Sequence, residues 1–159
     1  MKKIVALFGF ALIFSCGGPS PKKEKFEYTR VPVETSKKGK KEVQKTPVDL
    51  NNTGIGPIKD FEFPKDIDQD LAAVGQATFK QKCTACHKTN ARLIGPAMQG
   101  IYERRHPAWV LNIMLNPTQM LKEDPIAKAL LKEYNNVLML NQNLSQEEAR
   151  ALAEYLRTL

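Results

Sequence analysis

Residues 83–87 of this 159-residue chain read CTACH, and no other segment limits so strongly what the chain can fold into. Two residues separate Cys83 from Cys86, and His87 follows directly. This spacing is the attachment signature of a c-type haem, in which each thiol adds across one vinyl group of the porphyrin and the histidine binds iron. The segment therefore predicts one covalently attached haem c, with His87 as an axial ligand.

Two other kinds of site use the same pair of cysteines. A redox-active dithiol usually belongs to a βαβ unit, and the sequence shows no alternation of strands and helices. A zinc site needs further ligands. The chain contains only one other cysteine, Cys16, and one other histidine, His106. Both alternatives are therefore disfavoured against haem attachment.

The first fifteen residues have the pattern of an export signal. Lys2 and Lys3 precede an apolar run that is too short for a membrane-spanning helix. The segment ending at Cys16 resembles the lipobox of bacterial lipoproteins, so residues 1–15 are predicted to be a lipoprotein signal peptide and Cys16 the lipidated residue. Ordinary cleavage, the alternative, leaves an unpaired cysteine. We expect a lipid-anchored protein at the periplasmic face of the cell envelope, with Gly17 slightly favouring the outer membrane.

The rest of the chain divides into three parts. Residues 16–48 contain several prolines and lysine pairs but few large apolar side chains, which predicts a flexible, lipid-anchored linker. Residues 49–69 are expected to form an irregular N-terminal strap that packs on the domain. Residues 70–159 are expected to form the domain itself. Nucleic-acid binding is disfavoured, because the protein is expected to be exported and its formal charge of +7 is a modest basic excess.

The domain is predicted to be all-α, with about four helices and no convincing strand. Apolar residues recur at helical spacing in a first helix that runs into Cys83, in residues 107–115, in about 124–134 and after residue 145. Asn116-Pro117 is interpreted as the stop of the second helix, followed by a loop. The expected N-caps are Asp68 or Asp70, Asp124 before Pro125, and Ser145 with Glu148 in a capping box.

The order of these parts resembles the mono-haem class I cytochromes c from about Leu71 to the C-terminus. The residues that carry the resemblance are Gly75 and Phe79, the CTACH segment, Gly95-Pro96, a methionine in a loop, and Leu152 and Tyr155. It implies a small cytochrome c fold around the haem, in which the first and last helices cross at Gly75. It also implies that the Pro96 carbonyl accepts a hydrogen bond from His87.

The sixth iron ligand is predicted to be Met139, because the family ligand occupies a loop of this kind before the terminal helix. Met120 is the alternative, since it follows Asn116-Pro117 in the expected loop. Three other candidates are less favoured, because Met98 follows the proximal Gly-Pro turn, Met114 lies on the second helix and His106 begins a surface helix.

Several basic and aromatic residues are candidates for contact with the haem or a partner. Arg104, Arg105 and Trp109 are expected near the haem propionates, the alternatives being a solvated basic turn and a core tryptophan. A positive docking rim is expected from four residues that flank the attachment segment: Lys80, Lys82, Lys88 and Arg92.

The expected function is electron transfer, not enzymatic catalysis. Histidine and methionine ligation fills both axial positions of the iron and raises its reduction potential. The chain is therefore predicted to carry single electrons from a donor protein to a terminal reductase or oxidase by transient docking. Two alternatives stay open: a small-ligand or gas binder, or weak peroxidase, with a displaceable sixth ligand; and a tethered electron-transfer subunit of a larger complex.

Overall fold

The computed structural model describes residues 45–159, so the predicted signal peptide, Cys16 and most of the predicted linker lie outside the described residues. The described part contains five α-helices and no strand beyond one isolated bridge between Asp49 and Arg105. The prediction of an all-α domain is confirmed. The helices are α1 (Gln69–Lys82), α2 (Pro107–Leu115), α3 (Pro117–Glu123), α4 (Pro125–Glu133) and α5 (Gln146–Arg157), with a short 3-10 helix, Ile101–Glu103, before α2.

Helix α3 was not expected, and it replaces the loop predicted after Asn116. Asn116 does end α2, as Asn116-Pro117 indicated, but Pro117 then occupies the first turn of a new helix. Proline is well suited to that position, because its fixed φ is helical and its missing N–H would have had no partner there. The described part therefore has five helices where about four were expected.

The other helix starts follow the sequence signals. Asp68 caps α1 by accepting a hydrogen bond from the Leu71 N–H at 2.9 Å, and Asp124 caps α4 in the same way through Ala127 at 2.7 Å. Ser145 begins α5 with the predicted capping box. These short-range bonds satisfy backbone donors that a helix start leaves unpaired, which explains why the boundaries were readable from sequence.

The main helix interface joins α1 to α5. Gly75 lies at the crossing, where a Cβ atom would stand 2.0 Å from the carbonyl oxygen of Ala151. Beside it, the rings of Phe79 and Tyr155 pack with centroids 5.5 Å apart. The missing side chain of Gly75 thus allows the close approach, and the aromatic pair fills the crossing.

A strap of irregular chain, residues 45–67, is held on the helices by side-chain hydrogen bonds. The buried Asn112 donates to the carbonyl oxygens of Thr53 and Ile58 at 2.9 and 2.8 Å and accepts from the Ile58 N–H at 3.0 Å. A Cβ at Gly56 would lie 2.3 Å from the Asn112 Oδ1 atom. The apolar strap residues Ile55, Ile58, Phe61 and Phe63 pack against the core.

The buried carboxylate of Glu154 joins the strap to both principal helices. It accepts hydrogen bonds from Arg150, from Arg157 at 2.6 Å and from the Asp68 N–H at 3.0 Å. Arg157 also donates to the Pro64 carbonyl at 2.9 Å. One side chain of α5 therefore fixes the start of α1 and the end of the strap.

Within residues 45–159, no helix is both long enough and apolar enough to cross a membrane.

Candidate haem-attachment site

The attachment segment is a tight turn at the C-terminal end of α1. Cys83 is the C-cap residue, and its carbonyl oxygen accepts hydrogen bonds from the N–H groups of Cys86 at 3.0 Å and His87 at 2.9 Å. Both cysteines have free thiols; Cys83 is half-buried and Cys86 is exposed. The helix end thus holds the two thiols and the imidazole within one turn.

The environment of Cys83 does not suit a redox-active dithiol. Burial raises the pKa of its thiol to about 11, and the nearby charge of Lys82 only partly offsets this effect. Reactive dithiols need a lowered thiol pKa, because the thiolate is the attacking species. A redox-active dithiol is therefore disfavoured at this site.

The imidazole of His87 is seated by two residues of the loop that follows it. Its Nδ1 atom lies 3.0 Å from the carbonyl oxygen of Pro96, so a proton on Nδ1 is donated to that oxygen and Nε2 is left for a metal. A Cβ at Gly95 would lie 2.4 Å from His87 Cε1. Gly95 therefore provides the space that the ring needs, and the role of Pro96 beside a bound haem stays a prediction.

The surroundings fit a flat apolar group. Five of the eight exposed large apolar residues in the described part lie in two segments, one after His87 and one around Met139: Leu93, Ile94, Val137, Leu138 and Leu140. Solvent-exposed apolar clusters usually mark a binding surface. A cavity of about 370 Å³ also lies beside His87, with Phe79 and Thr84 among its lining residues. A porphyrin would cover such surfaces, with Cys83 and Cys86 as its covalent anchors.

The methionines occupy different environments. Met120 is fully buried on α3, and its sulfur accepts a hydrogen bond from the Ile55 N–H at 2.9 Å, so its expected loop position was wrong and its sulfur is engaged by the strap. Met114 is buried on α2, and Met98 lies two residues after Pro96. Met139 lies half-buried in an irregular loop between α4 and α5.

Two further candidates for contact with the haem, His106 and Trp109, have hydrogen-bond partners within the protein. His106 caps α2, because its Nδ1 accepts from the Ala108 N–H at 3.1 Å. Trp109 donates its single indole N–H to the buried Asp124 Oδ1 at 3.0 Å. The only donor of the ring is thus used by the carboxylate that caps α4, which favours the core-tryptophan alternative, and contact of Trp109 with a propionate stays a prediction.

The two adjacent arginines differ in their surroundings. Arg104 donates to the carbonyl oxygens of Gln99 and Ala97 at 3.0 and 3.1 Å, which places it against the loop after Pro96. Arg105 is buried and donates to the Pro47 carbonyl at 2.9 Å. Among residues 45–159, the buried Nε of Arg105 has no acceptor. Pairing of either arginine with a propionate stays a prediction.

The expected docking rim is less uniform than the sequence indicated. Lys82 pairs with Glu148 at 3.1 Å. The guanidinium of Arg92 lies 4.1 Å from the centre of the Tyr134 ring. Lys80 and Lys88 are exposed.

The fold and the site together define an all-α protein that attaches a haem through two cysteines. The family model for cytochrome c matches residues 72–159, more than half of the chain. The chain belongs to the cytochrome c family, and it is a haem-based electron-transfer protein with one covalently attached c-type haem.

Solved structures agree with this assignment. Cytochrome c from Rhodothermus marinus is 43% identical, with a TM-score of 0.62, over 65% of this chain and 88% of that chain. An engineered cytochrome c from Rhodothermus marinus, Rma TDE, is 42% identical, with a TM-score of 0.62, over 65% and 89%. The engineered protein bound to a carbene intermediate is 43% identical, with a TM-score of 0.60, over 65% and 88%. The predicted cytochrome c fold is confirmed.

No curated protein matches the chain.

Sequence reasoning missed several residues that shape the site. The sequence indicates Gly95 only as part of a Gly-Pro loop, although its missing side chain makes room for His87. It gives no signal for Asn112, because an amide on an apolar helix does not reveal that its partners are strap carbonyls. Glu154 had a readable signal, since arginines stand four residues before it and three after it.

Proposed function

We propose that this cytochrome c carries single electrons at the bacterial cell envelope, with His87 and Met139 as the axial ligands of its haem. The bound haem supplies a one-electron couple at its iron. The chain's own residues would hold and cover the haem. Cys83 and Cys86 would anchor it, Pro96 would orient His87, and the loop of residues 137–144 would cover the haem face opposite His87. Soft thioether ligation then raises the reduction potential.

The surroundings of the methionine sulfurs support this proposal most directly. Met120 is fully buried with its sulfur hydrogen-bonded, and Met114 is a core residue. Met98 follows directly on the segment that supports His87, where it would have to leave the proximal side within two residues. Met139 lies in a loop whose neighbours Leu138 and Leu140 are 59% and 69% exposed, as a surface that covers a haem requires.

Replacing Met139 by alanine should remove the sixth ligand. In the full-length, haem-loaded protein, we expect the near-infrared sulfur-to-iron charge-transfer band of the ferric state to disappear. The affinity for added imidazole should rise at least ~10-fold, because no loop has to be displaced. Optical titration measures both.

Met120→Leu is the matched control. It removes the thioether of a core methionine, replaces it by an apolar side chain of similar volume, and should leave the band intact. Persistence of the band in Met139→Ala would exclude Met139 as the ligand. A high-spin wild-type protein that binds added ligands without this band would favour the alternative function, a small-ligand binder or weak peroxidase.

The envelope location is proposed from the sequence at Cys16, because covalent haem attachment and a lipobox both require export. We expect the intact mass of the protein purified from membranes to be that of residues 16–159 plus one haem and an N-terminal lipid. A lipidated protein with an additional basic segment binds membranes stably. Cys16→Ser should lack the lipid mass. A wild-type protein that also lacks it would disprove the anchor.

A further inference from the structure

Arg92 bridges the two loops that flank the haem site. It lies in the loop that begins after His87, and its Nη2 donates to the backbone carbonyl of Glu133 at 2.9 Å. Its guanidinium also lies over the ring of Tyr134, 4.1 Å from the ring centre. Glu133 is the last residue of α4 and Tyr134 is its C-cap. Arg92 therefore contacts the C-terminal end of α4, where the Met139 loop begins.

The Met139 loop has few backbone hydrogen bonds near its middle. Asn135 and Asn136 have φ values of 59° and 58°, a left-handed pair that turns the chain away from α4. The Val137 N–H still donates to Tyr134 at 3.2 Å. From Leu138 to Gln142, no backbone N–H donates a hydrogen bond to any residue of the described part. Backbone hydrogen bonds thus hold the loop only at its two ends, and between them the half-buried side chain of Met139 packs against the core.

A second contact holds the same helix end from another direction. The Thr46 N–H of the strap donates to the Glu133 Oε2 atom at 2.8 Å. This bond uses the side chain of Glu133, whereas Arg92 uses its backbone carbonyl. Changes at Arg92 and at the Glu133 side chain can therefore be separated.

We propose that Arg92 is a positioning residue for the sixth ligand: by tying the loop after His87 to the end of α4, it keeps Met139 at the iron. This proposal rests on the proposed ligation by Met139. Arginine suits the task because its planar guanidinium can stack on a ring and donate a hydrogen bond at the same time. Loss of both contacts increases the fraction of molecules in which the loop has moved away from the haem.

The test uses full-length, haem-loaded ferric protein with Arg92→Gln. Because an entering ligand binds only molecules in which Met139 is detached, its apparent affinity reports their fraction. We expect the apparent affinity for imidazole to increase about fivefold, as the loss of one exposed cation–π contact and one charge-assisted hydrogen bond implies. The charge-transfer band should also disappear at a lower temperature than in the wild type, well before the helices unfold.

Two further variants make the result specific. Arg92→Lys retains a donor but not the planar face, so its imidazole affinity should lie between those of the wild type and Arg92→Gln. Lys132→Gln makes the same change in charge beside Glu133, and among residues 45–159 its side chain has no hydrogen bond or ion pair. Lys132→Gln should leave the affinity unchanged.

The outcomes distinguish this proposal from the one it rests on. If the wild type shows the band, and Arg92→Gln and Arg92→Lys both keep the band and the wild-type affinity for imidazole, the role of Arg92 is overturned and ligation by Met139 is not. If Lys132→Gln raises the affinity for imidazole as much as Arg92→Gln does, the effect is due to charge alone, and the role of Arg92 is overturned as well. Absence of the band from the wild type overturns ligation by Met139, and the role of Arg92 with it.

Discussion

Replacing Glu154 by glutamine should lower the free energy of unfolding of the haem-loaded protein by about 3 kcal/mol. The carboxylate is fully buried, and it is the shared acceptor of Arg150 and Arg157. Glutamine keeps the shape of the side chain but leaves two guanidinium groups without their counter-charge. Water offsets part of this loss of stability, because both arginines are partly exposed. Chemical denaturation at neutral pH measures the difference.

The same variant should reveal a pH dependence. Burial raises the pKa of Glu154, but hydrogen bonds from Arg150 and the Asp68 N–H, with the charges of Arg150 and Arg157, outweigh it, so the pKa is below that of an ordinary glutamate. The stabilisation is therefore complete above the ordinary pKa and is lost as the pH falls through the lowered one. The difference between wild type and Glu154→Gln should shrink in acid.

Glu148→Gln is the matched control on the same helix. Glu148 pairs with Lys82 at the surface, and glutamine can still complete the capping box with Ser145. This variant should remain much closer to the wild type. Equal destabilisation by both changes, or a Glu154→Gln protein as stable as the wild type, would contradict the importance of the buried carboxylate.

Gly75→Ala should destabilise the protein by at least about 2 kcal/mol, although alanine is the better helix former. The added Cβ would stand 2.0 Å from the Ala151 carbonyl oxygen and 2.9 Å from the Tyr155 Cβ, so α1 and α5 must move apart. Neither neighbour is the end of a flexible side chain. Thermal and denaturant unfolding of the haem-loaded protein measure the loss.

The exposed Ala77 on the same helix provides the reverse substitution. Ala77→Gly should cost about 1 kcal/mol through helix propensity alone. A Gly75→Ala protein that is as stable as the wild type, or more stable, would show that propensity outweighs the helix crossing.

The sequence predicted those features of the fold that depend on neighbouring residues. Asp68, Asp124 and Ser145 begin helices through hydrogen bonds that span three residues, and such signals are visible in the chain itself. Pro117 was ambiguous, because proline both ends one helix and starts another. Its local sequence fits a loop and a first helical turn equally well, so α3 was missed.

The site was predictable where chemistry requires a fixed spacing, as between Cys83 and His87. Residues whose roles depend on distant partners were not. For Trp109, the sequence does not show that Asp124 Oδ1 accepts a hydrogen bond from its indole nitrogen at 3.0 Å. The sequence predicts only a rim charge at Arg92, since nothing nearby indicates the carbonyl of Glu133, 41 residues later.

The pairing of α1 with α5 also bears on the order in which the chain can fold. When the chain is made from its N-terminus, Gly75 and Phe79 have no partner on α5 until residues 146–157 have followed, because α1 and α5 are the first and last helices of the described part in sequence. Bringing α1 and α5 together closes the long segment between them, which costs conformational entropy before any contact between the two helices has formed. The last helix to appear is therefore the one that completes the domain.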